Sequence, residues 1–304
     1  MKKTYQIADR RLVEAAEDVG PIAIYANPEE QERKYLIDEL KIDEHTLNSA
    51  LDPDELSRLE FEPEHVAIIF KRPRNLSTGE QFAFGVASMG VFLFKDRLRI
   101  IVGEDGALLE GPPIQRVQSV PGVVLRLVAR VVVHFREHLR AISMVSDELQ
   151  NEINRSMENK HLISMFSLQK SLVYYFNSIN SNGATLDKLR HNAARIGFST
   201  DEAELLDDLI IENNQCLKQA EMYSNILASL MDARASIVAN NLNVLMKRLN
   251  IITIGIMVPT AVVSAFSMNV RIPLATMDLA FWIIMALASL SVAAFLYLWK
   301  RLSG

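Results

Sequence analysis

The chain has 304 residues, 49% of them hydrophobic, with a mean hydropathy of +0.11 and a formal net charge of -5. That length fits two ordinary soluble domains, while the apolar share leans toward a chain that lies partly in a membrane. A pI of about 5.8 excludes broad binding to the nucleic-acid backbone, which recruits a basic surface, so nucleic acid is not an expected partner.

The segment from Met1 to Arg10 opens on two lysines but runs into further charged residues instead of an apolar core, so no cleaved signal peptide is expected. Cys216 is the only cysteine, which leaves no intrachain disulfide and no multi-cysteine metal site. A reduced, cytosolic setting is the simpler expectation for the soluble part. Residues 1–120 are predicted as an α/β domain. Charged, helical stretches run from Pro28 to Leu51, followed by strand-rich runs His65–Phe70, Gln81–Val86, Val91–Phe94 and Leu98–Val102. Gly111-Pro-Pro113 and Pro121-Gly122 then punctuate the chain, and strand signals stop.

Apolar residues recur at helical spacing from Val123 to Lys160 and from His161 to Ser178, which predicts a helical hairpin over 121–198, with Ser181-Asn-Gly183 breaking its second helix. His134 and His138, four apart, have a spacing that suits zinc. Without a third ligand or a His-Glu-x-x-His order they read as exposed helix residues. Ser199 and Glu202 form a capping box that opens a stalk helix over 199–248. Leu206, Ile210, Leu217, Ala220, Leu227, Met231, Val238 and Leu245 fall on one stripe of it, and no proline occurs before Pro259. The stalk is therefore expected to continue unbroken into the next segment, for about 70 residues and roughly 100 Å.

Leu249 to Val270 carries no charge, and at about 1.5 Å per helical residue it reaches roughly 33 Å, enough to cross a bilayer core. Leu279 to Trp299 is a second uncharged run of the same order. The predicted order is a first span over 249–269, an outer loop over 270–278, a second span over 279–299 and a tail over 300–304. Lys247, Arg248, Lys300 and Arg301 flank the spans on one side, whereas the loop holds Arg271 and Asp278. By the positive-inside rule both termini are cytoplasmic. Trp282 at the outer end, and Tyr297 with Trp299 at the inner end, fit an aromatic belt. The fold class is thus an α+β membrane protein. Two helices per subunit enclose little of a pore, so conduction requires an oligomer. No phosphate loop, Gly-x-Ser-x-Gly or cysteine nucleophile is present, and an enzyme is not expected.

At the outer end of the first span stands Pro259-Thr-Ala-Val-Val-Ser-Ala-Phe-Ser-Met-Asn269. It resembles the Pro-Thr-x-x-x-Ser-x-Tyr-Gly-Met-Asn signature of CorA-type magnesium channels. Ala50-Leu-Asp-Pro-Asp-Glu-Leu-Ser-Arg-Leu-Glu60 likewise resembles that family's N-terminal signature, and the two C-terminal spans complete the pattern. Among the departures from it, Ser267 replaces the glycine, and Arg271 stands near where an acidic loop residue is often found.

The resemblance implies a homopentameric funnel in the cell (inner) membrane that passes divalent cations, Mg²⁺ first and then Co²⁺ or Ni²⁺, with Mg²⁺ also acting as a cytoplasmic regulator. Mg²⁺ holds about six waters and sheds them reluctantly, so a ring of Asn269 carbonyls, flanked by Ser267 and Met268, suits the hydrated ion. In isolation Asn269 reads as a helix C-cap. Asn243, Met246, Leu249, Thr253, Met257, Thr260 and Ser264 fall on one face in steps of three or four. That face matches the family's pore lining, with the apolar members as a dewetting gate; the alternative is a lipid-facing or helix-packing face. Asp208, within the acidic run Asp201, Glu202, Glu204, Asp207, Asp208 and Glu212, falls at the family's cytoplasmic metal-sensing aspartate, and Asp232 at its inner pore mouth. The alternative for that run is a solvated helix face. A zinc transporter of the same superfamily and a non-conducting membrane sensor or scaffold are the rival functions.

Overall fold

The computed structural model describes residues 2–15, 20–74, 84–103, 117–155, 159–268 and 277–302, with the side chains of 152–162 and 302 excepted. The sequence expectations at Gln81 to Ala83, Gly111-Pro-Pro113, Asn269, Arg271 and most of the loop 270–278 lie outside the described residues. The chain divides into two compact units, Met1–Met231 and Asp232–Gly304.

The first unit is built on a seven-stranded sheet: β1 Lys2–Ala8, β2 Arg11–Glu14, β3 Ile22–Ala26, β4 Arg58–Phe61, β5 Val66–Arg74, β6 Gly85–Leu93 and β7 Leu98–Val102, in the order β2-β1-β3-β7-β6-β5-β4. All neighbours are antiparallel except β3 and β7, which run parallel. β3 and β7 are buried along their whole length, because the sheet is covered on both faces and a central strand then needs apolar residues at every position. Alternation sorts those residues between two cores. Ala23, Tyr25, Ile69, Phe92 and Ile101 meet Leu36 of the π-helical turn Tyr35–Glu39 that follows the short helix α1 Glu30–Lys34, Ile42 of the next connection, and Leu47 and Ala50 of α2 Glu44–Leu51. Ile22, Ile24, Ile68, Phe70, Val91 and Ile100 face the larger core, shared with α3 Val120–Arg155, α4 Asn159–His191 and the first part of α6 Thr200–Phe266.

The structure corrects three sequence expectations. Residues 85–93 form one strand, β6, not the ends of two, because its central Gly90 and Val91 pair in register with β5 and β7. The helix expected to stop at Ser181-Asn-Gly183 runs through to His191. Asn182 is fully buried there, accepting from Lys71 N at 2.8 Å and Ser57 Oγ at 2.7 Å and donating to Lys71 O at 2.8 Å. These tertiary bonds outweigh the weak local propensity of an Asn-Gly pair. The chain turns instead after the short helix α5 Ala193–Ile196, at Gly197, whose φ of 91° is the left-handed cap conformation that glycine adopts without strain. His134 and His138, expected to be exposed, are partly buried on α3. Their rings lie 4.4 Å apart, and Tyr175 of α4 hydrogen-bonds His138 Nδ1.

The second unit holds the rest of α6 and α7 Ala280–Leu302. Each contains a stretch long and apolar enough to cross a bilayer. In α6 that stretch is 0% buried and in α7 6% buried, which separates both from the core helices of a soluble protein.

Candidate ion pathway

Along the apolar part of α6, Ile251, Gly255, Val258, Pro259, Val262 and Phe266 are partly buried. On α7 the partly or fully buried residues are Ala280, Ile284, Ala288, Ser291, Val292, Phe295 and Trp299. Both sets recur at three or four residues, the period of one helix face. The helices meet along these faces: a Cβ built on Gly255 would lie 3.9 Å from Phe295 Cε1, and Lys247 Nζ stands 5.8 Å from the centre of the Trp299 ring.

Each residue turns a helix by about 100°, so Met246, Thr253, Met257, Thr260 and Ser264 point roughly away from the α7 face. All of them, with Asn243 and Leu249, are exposed. The stripe therefore does not pack against α7. Its hydroxyls are also oriented. Thr253 Oγ1 donates to Leu249 O at 2.9 Å and Thr260 Oγ1 to Ile256 O at 2.7 Å. Ser267 Oγ donates to Ser264 O at 2.9 Å. A hydroxyl whose proton is committed to its own helix presents lone pairs outward, so these positions offer acceptors to a cation or to the hydrogens of its water shell. Ser267 and Met268 are exposed just beyond the last turn of α6.

In the first unit the acidic run divides. Glu202 accepts from Ser199 N at 2.8 Å and from Ser119 Oγ at 2.6 Å, which ties the predicted capping box to the start of α3. Gly122 makes room for it, since a Cβ there would fall 2.2 Å from Glu202 Oε1. Asp207 pairs with Arg190, raising the guanidinium pKa, and Glu212 lies 3.6 Å from Arg136. Asp208 is exposed and has no hydrogen bond or ion pair among the described residues. The Asp232 side chain is exposed too, on the second unit. No group of three or more His, Cys, Asp or Glu among the described residues converges on a metal position. A divalent ion at Asp208 thus requires ligands from outside this chain's described residues.

Sequence reasoning missed the α7-facing stripe and the hydroxyl orientation. The spacing of Gly255 and Pro259, four apart in an otherwise Gly- and Pro-free α6, was the available signal for the first.

An α/β unit with its sheet covered on both faces, followed by a helix of 67 residues and an apolar helical hairpin, defines a membrane protein whose long helix ends in a membrane span. Residues 23–301 match the family described as CorA-like Mg2+ transporter protein, and the chain belongs to that family. Its members carry divalent cations across membranes and are not enzymes. The chain is 23% identical over 289 residues to the cobalt/magnesium transport protein CorA of Methanocaldococcus jannaschii, covering 90% of this chain and 88% of that one. The complete structure of the CorA magnesium transporter from the same organism superposes with a TM-score of 0.81 at 21% identity, over 99% and 96% of the two chains. The full-length CmaX protein gives 0.72 at 17% identity, over 100% and 97%. The ZntB cytoplasmic domain from Vibrio parahaemolyticus gives 0.62 at 10% identity, over 78% and 98%.

Proposed function

We propose that this chain is a passive divalent-cation channel, with Mg²⁺ as the main ion, assembled as a homopentamer. The exposed stripe Asn243, Met246, Leu249, Thr253, Met257, Thr260 and Ser264 lines its path. The observation that carries the reading is that stripe's position on the face of α6 turned away from α7, with Thr253 and Thr260 presenting acceptors between apolar side chains. Five copies, α6 inside and α7 outside, would place acceptor and apolar rings in alternation. Hydrated ions are steadied by the first and stopped by the second when the apolar rings close and water leaves. Asn269, with Ser267 and Met268, forms the outer mouth.

The soluble unit and both termini lie in the cytoplasm, a reading supported by Lys247, Arg248, Lys300 and Arg301 at one end of the spans. We assign 1–120 to the α/β domain, 121–198 to the helical hairpin, 199–248 to the stalk, 249–269 and 279–299 to the spans, 270–278 to the outer loop and 300–304 to the tail. An inside-negative potential of 100 mV drives a divalent ion with about 4.6 kcal/mol, so no other energy source is needed. Asp232 attracts cations at the inner mouth, and Asp208 senses cytoplasmic Mg²⁺.

Mg²⁺ flux into proteoliposomes, parent against Asn269→Ala and Asn269→Asp, tests this. Parent flux that is lost or altered in selectivity in the variants, with the oligomer intact, is expected. Identical flux in all three removes Asn269 from the mouth, and a silent parent removes conduction. Competition by Co²⁺, Ni²⁺ and Zn²⁺ ranks the ions.

A further inference from the structure

The part of α6 that carries Met257 is the weakest stretch of that helix by its own chemistry. Gly255 has the poorest helix propensity of any residue except proline, and Pro259, four residues on, has no N–H for the Gly255 carbonyl. Thr253 and Thr260, bracketing the pair, bond back to Leu249 O and Ile256 O, an arrangement that bends helices. The other 65 residues of α6, out of 67, include neither Gly nor Pro. Gly255 and Pro259 share the face turned to α7, where Phe295 Cε1 lies 3.9 Å from the point at which a Cβ on residue 255 would sit, an ordinary contact distance. Met257 sits between them on the opposite face, exposed.

We infer that Phe295 of α7 is a positioning residue: its ring, beside Gly255, limits how far α6 bends at Gly255–Pro259 and through that the position of Met257. The inference rests on the conduction reading for its consequence but not for its geometry. A helix missing one hydrogen bond on the Phe295 side bends most easily in the plane that contains both Phe295 and Met257. Withdrawal of the ring therefore changes the distance of Met257, on the opposite face at the hinge, from the axis of the assembly. The device places the control of an apolar constriction on a helix that never touches the ion.

Two measurements on the full-length protein in liposomes test it. The first is the rate of copper-catalysed crosslinking between copies at Met257→Cys, in a Cys216→Ser background, with Phe295 intact or replaced. Phe295→Ala is expected to change that rate by about fivefold or more, the lower end of ordinary coupling between sites, with Phe295→Leu closer to the parent. The second is Mg²⁺ flux. Gly255→Ala adds a methyl at ordinary contact distance from Phe295 and stiffens the turn, so its flux should respond less to Mg²⁺ than the parent's, while the oligomer survives gel filtration. An unchanged crosslinking rate in Phe295→Ala overturns the inference whether or not the parent conducts. Altered crosslinking with a silent parent upholds the inference and overturns conduction instead.

Discussion

His138 lies on α3 against the Tyr175 hydroxyl, the edge of Phe84 at 5.6 Å and the His134 ring. Burial, and then the neighbouring His134, bring its pKa down from 6.5 to about 4. His134 is lowered as well, first by burial, with Arg72 adding and Glu137 opposing. The folded protein therefore keeps His138 neutral where the unfolded chain takes up a proton. Stability is whole above pH 6.5 and declines as pH falls from 6.5 toward 4, because the unfolded state binds more protons across that window. Thermal unfolding of the solubilised protein between pH 7 and 5 should show this fall, and His138→Gln should flatten it. A slope unchanged in His138→Gln would place the titration elsewhere. Neither burial nor the tyrosine partner is visible in the segment around His134 and His138, which looks like an ordinary polar helix face. The packing of α4 and Phe84 against α3 is what partly buries the two rings.

The start of α6 was legible in the sequence because a capping box is local: Ser199 N donates to Glu202 Oε2, and Glu202 N donates to Ser199 Oγ at 3.3 Å. Ser199→Ala should lower stability by about 1 kcal/mol, the usual worth of an N-cap. Gly122→Ala should cost more, since its methyl displaces Glu202 from both Ser119 and Ser199. Differential scanning of both variants checks the order; a Gly122→Ala protein as stable as the parent would mean that the glutamate relaxes freely. The strand β7 and the run of α6 through Leu249 were likewise readable, from β-formers bounded by charge and from periodicity without a breaker. α4 was not, because the bonds that carry it through Gly183 come from Lys71 and Ser57, more than a hundred residues away in sequence. β1 to β4 escaped notice for a related reason. Pairing such as β3 beside β7 is a property of the sheet and not of either strand.

At the scale of the whole molecule, the family and the two spans were legible, whereas the site was legible only as positions on faces. Asp208 illustrates the limit: the sequence puts it in an acidic run, and the structure leaves it exposed while Asp207 and Glu212 are taken by Arg190 and Arg136. A regulatory Mg²⁺ held there between copies would offset repulsion among acids and favour one arrangement of the ring. Asp208→Asn or Asp208→Lys should then be less protected from protease by Mg²⁺ and should conduct at Mg²⁺ levels that close the parent. Equal protection and equal inhibition would return Asp208 to the solvated face.

Which face of α6 meets the ion is decided by single cysteines placed along 246–264 in a Cys216→Ser background, with Mg²⁺ flux read before and after a membrane-impermeant thiol reagent. Block at Met246, Leu249, Thr253, Met257, Thr260 and Ser264, and none at Ile251, Val258 and Val262, is the expected pattern. Block at the second set, or at no position in a conducting protein, would contradict conduction along this face.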